Sequence, residues 1–269
     1  MIPSNMKPVD NPIRAHALAI ALACAGLAAM PAARAADDEI MVTDADLAKP
    51  GKPELEIHTN FSRGSSVSPG EGVFAPGNML RLTPELSIGL SEHWDAGLYL
   101  PASVVPGRGL YFDGVKARAK TAYTQPIGQD AHLYYGVQFE VADINPGISP
   151  DRTGVEVKAI GGTEFGDWNV GFNVVYQRDV PDHDLYSPAH AVNGKIVRDL
   201  GRGMAVGLEH YTSWSSVSQE EPVREIDNIS FVTFQWKVHD WDLHLGLGHG
   251  WSASPDHTVI KLVIGVPLD

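Results

Sequence analysis

The sequence predicts an all-β protein, specifically a transmembrane antiparallel up-and-down β-barrel of about twelve strands. Three observations carry that prediction. Apolar and polar residues alternate with period two from residue 53 onward, the connections between alternating stretches are short and long by turns, and aromatic residues gather beside the short ones. No stretch after residue 35 approaches the roughly 18 to 20 apolar residues of a membrane helix. A bilayer offers no partner for backbone N–H and C=O groups, so a chain of this kind crosses it only as a closed sheet.

The first 35 residues read as an export signal. Lys7 and Arg14 precede an apolar run from Ala15 to Met30, and Ala33-Arg34-Ala35 supplies a small-x-small cleavage site. A rival reading takes Ala21-Leu22-Ala23-Cys24 as a lipobox, although its apolar run continues past Cys24. Cleavage after Ala35 removes the only cysteine, so the exported chain is expected to have neither a disulfide nor a thiolate metal site. Without Lys7, Arg14, Arg34 and Asp10, 17 cationic side chains remain against 32 anionic ones. That balance excludes nucleic-acid binding through a basic face and suits acidic surface loops. Residues 36–52 are expected to form an acidic periplasmic tail. Within them, Asp38-Glu39-Ile40-Met41-Val42-Thr43 resembles the energy-coupling box of siderophore receptors, but the chain is far too short for their plug domain and twenty-two strands.

The barrel itself is expected over residues 53–269. The first strand sets Leu55, Ile57, Thr59 and Phe61 against Glu54, Glu56, His58 and Asn60. The second sets Leu80, Leu82, Leu86, Ile88 and Leu90 against Arg81, Thr83, Glu85 and Ser87, with a β-bulge expected at Pro84, which cannot donate to a ladder. The third alternates Trp94, Ala96, Leu98 and Leu100 with Asp95, Gly97 and Tyr99. In the fourth, Val115, Ala117, Ala119, Thr121 and Tyr123 oppose Lys116, Arg118 and Lys120, so one face is apolar and the other cationic. The fifth alternates Leu133, Tyr135, Val137, Phe139 and Val141 with Tyr134, Gly136, Gln138 and Glu140. Further strands are predicted near 153–163, 168–178, 190–198, 203–212, 228–238, 241–249 and 257–267. Their length, about ten residues, is what a tilted strand needs to cross hydrocarbon.

Short turns fall at 91–93, 125–130, 164–167, 199–202 and 239–240, whereas long polar links fall at 62–77, 101–113, 142–152, 179–189, 213–227 and 250–256. In outer-membrane barrels the short turns are periplasmic and the long loops external, which puts both chain ends in the periplasm. Trp94, Trp168 and Trp241 each open a strand just after a short turn, and Tyr123 and Trp236 close strands just before one. All five are expected at the periplasmic headgroup level. The triplets His93-Trp94-Asp95, Asp167-Trp168-Asn169 and Asp240-Trp241-Asp242 fit that girdle without any duplication.

Alternation alone leaves the facing open, since a soluble lipocalin-like barrel would turn Val115, Ala117 and Ala119 inward and Lys116, Arg118 and Lys120 to water. The membrane version makes Glu54, Glu56, Arg81, Glu85, Asp95, Lys116, Arg118, Lys120, Glu140, Glu156, Lys158, Glu209 and Lys261 candidates to line the lumen. Such charges either neutralise one another in a filled interior or select solutes at a constriction. Catalysis is not expected. A barrel lipase needs a Ser beside a His base, and His190-Ala191-Val192-Asn193-Gly194 lacks the Ser. Asp182, His183, Asp184 and His190 are too loosely spaced for a metal site, and no cofactor is expected.

The stretch from Leu82 to Pro101, Leu-Thr-Pro-Glu-Leu-Ser-Ile-Gly-Leu-Ser-Glu-His-Trp-Asp-Ala-Gly-Leu-Tyr-Leu-Pro, together with Gly114-Val115-Lys116-Ala117-Arg118, resembles a hairpin and its following strand in the proteobacterial outer-membrane barrels grouped under the MetA pathway of phenol degradation. About a fifth of the chain carries the likeness. It implies a Gram-negative outer-membrane barrel that passes small, including aromatic, solutes. The expected partners are outer-membrane lipid, those solutes and the barrel-assembly machinery. One departure is the ending Val266-Pro267-Leu268-Asp269, where most such barrels finish on an aromatic residue. The alternative implied by the sequence is a closed structural or surface-binding barrel whose external loops do the work.

Overall fold

A computed structural model describes residues 39–64, 72, 74, 78–148, 153–180, 189–215, 225–251 and 256–268. The expected signal peptide lies outside them. The described strands are β1 (Pro53–Gly64), β2 (Leu80–Ser91), β3 (Trp94–Tyr99), β4 (Ala102–Val105), β5 (Gly109–Phe112), β6 (Gly114–Pro126), β7 (Ala131–Ile144), β8 (Thr153–Phe165), β9 (Trp168–Val180), β10 (Ala189–Gly201), β11 (Met204–Ser215), β12 (Glu225–Val238), β13 (Trp241–Gly250) and β14 (Asp256–Pro267). Every pairing between them is antiparallel, and β1 bonds both β2 and β14, which closes the sheet. Among the described residues there is no helix.

Fourteen strands make twelve staves. β4 continues β3 and β5 continues β6, because β2 pairs first with β3 and then, in unbroken register, with β4. Polar composition predicts a loop over 101–113. Instead β4 and β5 form a hairpin that prolongs two staves, turning at Gly107, whose φ of +76° suits glycine. The expected bulge at Pro84 is also absent, since Pro84 sits directly opposite Ile57. On its other side Pro84 can accept but not donate: Leu100 N–H bonds its carbonyl at 3.0 Å. The missing return bond coincides with the interruption between β3 and β4, so the ladder opens there rather than slipping.

Facing is decided by burial. Among the described residues nothing packs on the sheet from outside as a second layer, so a buried side chain on it points into the barrel. Lys116, Arg118 and Lys120 are buried, while Val115, Leu208 (62 % exposed) and Leu247 (60 % exposed) look outward. This arrangement, apolar toward lipid and polar toward the axis, excludes the soluble alternative. Trp94, Trp168, Trp241 and Tyr123 are exposed on the outer surface at the short-turn end, as an interfacial girdle requires.

Residues 39–52 differ from the tail expected outside the barrel. They run inside it, from Ile40 near the long-loop half down to Lys52 at the short-turn mouth, where the chain reverses into β1. Val42 is 1 % exposed, Ile40 packs with Phe231 and Val259, and Gly51 N–H bonds Gly89 C=O at 2.9 Å at the base. A tail of this composition gains little in water, whereas here its apolar side chains and backbone both find partners in the lumen.

Candidate functional site: the barrel interior

The inward face carries two polar networks, each built by residues that strand closure brings together. The first centres on Arg118 of β6. Its Nε donates to Glu85 Oε1 on β2 at 2.6 Å, and its Nη1 donates to Asp95 Oδ1 on the intervening β3. Gly97 on β3 makes this reach possible: a Cβ there would stand 2.6 Å from Glu85 Oε1. Lys120 Nζ is 4.0 Å from Asp95 Oδ2, Lys116 Nζ 2.9 Å from Glu140, and Lys158 Nζ 3.3 Å from Glu156. Beside them the His58 ring, on β1, lies with Nε2 3.1 Å from Glu56 Oε1 and 3.7 Å from Glu85 Oε2.

The second network surrounds Lys261 of β14, which is 0 % exposed. Its Nζ bonds Glu209 of β11, and Glu209 also accepts from Tyr211 Oη at 2.5 Å and lies 3.1 Å from His244 Nε2. Removing two charges from water costs several kcal/mol per ion, so such a pair is sustained only where further donors complete the carboxylate, as Tyr211 does here.

Of the residues singled out from sequence, the first network therefore gathers Glu56, Glu85, Asp95, Lys116, Arg118, Lys120, Glu140, Glu156 and Lys158, and the second Glu209 and Lys261. Glu54 stands apart at the start of β1, opposite Ser87. Arg81 stands apart beneath the long loops, where it borders a void of about 10 Å³ beside Ile40. Sequence reasoning passed over His58, Lys195, Asn173, Tyr134 and His244, whose types and spacing resemble those of ordinary strand residues. It also passed over the lumen segment that binds several of them. Asp182, His183 and Asp184 lie outside the described residues. His190 packs between the rings of Tyr176 and Trp214, at 5.5 and 6.0 Å.

The lumen segment ties the networks together. Lys261 Nζ donates to Ile40 C=O at 2.9 Å. Asn173, 0 % exposed, accepts from Thr43 N–H at 2.7 Å and donates to Thr43 C=O at 2.9 Å, standing in for a neighbouring strand. Asp44 receives Lys195 Nζ and, at 2.9 Å, Tyr134 Oη. Ala48 N–H donates to Asp95 Oδ2 at 3.1 Å, which joins the segment to the Arg118 network. At Gly89 an added Cβ would meet Ala48 C=O at 2.2 Å, so only glycine lets the two backbones approach so closely.

With the segment seated, inward side chains such as Asp95, Asn173, Thr233 and Lys261 are almost wholly buried. A cavity of about 60 Å³ remains between Glu39, His58, Glu85, Tyr99, Arg118 and Lys158. Since a water needs roughly 10–15 Å³ of such volume, this holds a few waters and no organic solute. The described interior is therefore one of paired opposite charges, and part of its filling is a segment that is not itself a stave and is held by polar contacts at separate points as well as by its buried Ile40 and Val42.

No family model matches this sequence, and no curated protein matches it. Solved structures do. An outer-membrane channel from Pseudomonas putida F1 superposes with a TM-score of 0.60 at 12% identity, covering 86% of this chain and 100% of that one. The NanC porin gives 0.51 at 11%, over 80% of this chain and 99% of that one. The KdgM porin in complex with disordered oligogalacturonate gives 0.51 at 10%, also over 80% and 99%. Identities this low speak to architecture, and together with the closed sheet, the lipid-facing belt and the aromatic girdle they make the chain an outer-membrane β-barrel of porin-like fold.

Proposed function

We propose that this barrel is a passive channel for small solutes and that residues 39–50 act as its gate. The observation that carries the reading is the lining: a closed, lipid-facing barrel with buried charged groups on eight of its twelve staves, and a non-stave segment held among them. Passage of a solute requires that segment to shift, since the inward side chains around it are buried from water. Its polar anchors suit such a role because water replaces them when the segment leaves, while the buried Ile40 and Val42 add apolar contacts that hold it seated. The likeness of the Leu82–Pro101 hairpin to barrels of the MetA pathway of phenol degradation supports aromatic compounds among the solutes. The porin neighbours support a channel role for barrels of this architecture. The test is single-channel recording in planar bilayers of the full chain and of a variant lacking residues 39–50. Small or infrequent openings that become large and persistent on deletion are expected; silence from both folded barrels refutes the proposal.

The filled bore favours one second reading, a closed barrel whose external loops bind a partner. Deleting residues 216–224, between β11 and β12, then abolishes surface binding and leaves permeability unchanged, whereas a channel keeps its conductance steps and shows no binding to lose.

A further inference from the structure

Within the Arg118 network, His58 presents a problem that hydrogen bonding does not solve. The ring is 2 % exposed, yet neither Nδ1 nor Nε2 makes a hydrogen bond of acceptable geometry, although Nε2 lies 3.1 Å from Glu56 Oε1. Glu56 Oε1 is likewise buried without a hydrogen bond. A buried imidazole with Nδ1 unsatisfied and Nε2 facing two carboxylates off the hydrogen-bond line calls for an explanation. Three further facts bear on it. One ligand atom each from Glu39, His58 and Glu85 lies within 4.8 Å of the others. The cavity of about 60 Å³ borders these same three residues. Finally, the charges are unequal: Glu39, Glu56, Glu85, Asp95, Glu140 and Glu156 stand among Lys116, Arg118, Lys120 and Lys158, an excess of two negative charges with His58 neutral.

We propose that Glu39, His58 and Glu85 form a binding site for a divalent transition-metal ion, which fastens the lumen segment to strands β1 and β2. A point central to three atoms no more than 4.8 Å apart is at most about 2.8 Å from each, the side divided by the square root of three. Closing that to the ~2.0–2.2 Å of metal–imidazole and metal–carboxylate bonds takes well under 1 Å of side-chain movement per ligand. One imidazole with two carboxylates is a donor set for zinc-like ions, while calcium and magnesium favour oxygen ligands alone. Glu56 stands ready as a fourth ligand or as the acceptor for a metal-bound water. A divalent ion cancels the local excess charge, whereas a proton on His58 cancels half of it. The ligands come from the segment and from the wall, so the ion would couple metal availability to seating of the segment.

The test uses the full chain folded in detergent, stripped with EDTA and dialysed against Co²⁺ as a spectroscopic probe. One equivalent is expected, with the visible absorption of low-coordinate Co²⁺ that Zn²⁺ then displaces. His58→Gln and Glu39→Gln should each weaken binding at least tenfold, with heat-modifiable gel migration confirming that the barrels are folded. Glu39 belongs to no stave, so its variant reports even if His58→Gln does not fold. A wild-type chain that takes up no cobalt, or variants that keep the same stoichiometry and spectrum, overturns the proposal. Uptake is measured without a bilayer, so a chain that binds cobalt and conducts nothing removes the channel reading while leaving the metal site in place.

Discussion

The contact between Asp44 and Lys195 offers the sharpest test of the gate. Asp44 is on the lumen segment and Lys195 on β10, and their side chains are 24% and 7% exposed. Replacing Asp44 by Asn leaves a carbonyl able to accept from Tyr134 Oη, so the change removes the ion pair and little else. A hydrogen bond between charged groups contributes roughly 1.5–3 kcal/mol, and the partial exposure of Asp44 argues for about 2. The loss falls on the seated state alone. With the segment withdrawn, Lys195 faces water; with it seated, Lys195 would be buried beside a neutral amide. At 1.4 kcal/mol per tenfold, the ratio of open to closed should rise about 30-fold. Asp44→Ala should raise it by a similar factor, because Tyr134 Oη keeps Asn169 Oδ1 as an acceptor at 2.9 Å. The readout is open probability in single-channel records. Adding Lys195→Met to Asp44→Asn should bring the ratio part of the way back, because no charge is then left uncompensated. An open probability unchanged in Asp44→Asn, or raised further in the double variant, refutes the reasoning.

Three further outcomes follow from the same contacts, two of them read with Ala45→Cys as a reporter, since Cys24 is the chain's only cysteine and lies in the expected export signal. Asn173→Ala strands both backbone groups of Thr43 in a fully buried place, at about 1–3 kcal/mol, so maleimide should label the introduced thiol roughly tenfold faster or more; an unchanged rate would mean that Asn173 does not hold the segment. Gly89→Val sets a Cβ against Ala48 C=O at a separation of 2.2 Å and should release the base of the segment, again read as faster labelling, with the folded gel band retained. Arg118→Met leaves Glu85 and Asp95 without their guanidinium; by the penalty for breaking a buried pair, about 3–5 kcal/mol, the heat-modifiable transition should fall by several degrees or more. Neutralising Glu85 and Asp95 in that background should recover part of the loss, and a transition that does not move would show the network to be dispensable.

Some of this could be read from the chain by eye. Period-two alternation is a property of neighbouring residues, so Val115 to Tyr123 displays its two faces in the sequence itself, and so does the cationic row Lys116, Arg118, Lys120. Alternating short and long links fixed the number of staves, and the Trp residues after short turns marked one end. Which face looked inward was left open by alternation and was decided by burial in the closed sheet. The partners of the row were harder. That Arg118 reaches past β3 to Glu85 depends on register and on Gly97 leaving room, neither of which alternation encodes. Pro84 misled for a related reason: its missing donor was accommodated by opening the ladder at Leu100, a choice made by the neighbouring strand.

The lumen segment marks the boundary between the two kinds of information. Residues 39–52 have no periodicity, and their acidic composition fits a solvated tail as readily as a gate. Their place depends on Lys261, Asn173, Lys195 and Tyr134, residues 90 to 221 positions away that meet only once the sheet has closed on itself. Local sequence determined strands, faces and turns, because those follow from the interaction of each residue with its immediate neighbours and its solvent. Only tertiary structure decided what fills the enclosed volume, because that volume comes into being with closure and is occupied by whichever segment can satisfy the charges pointing into it.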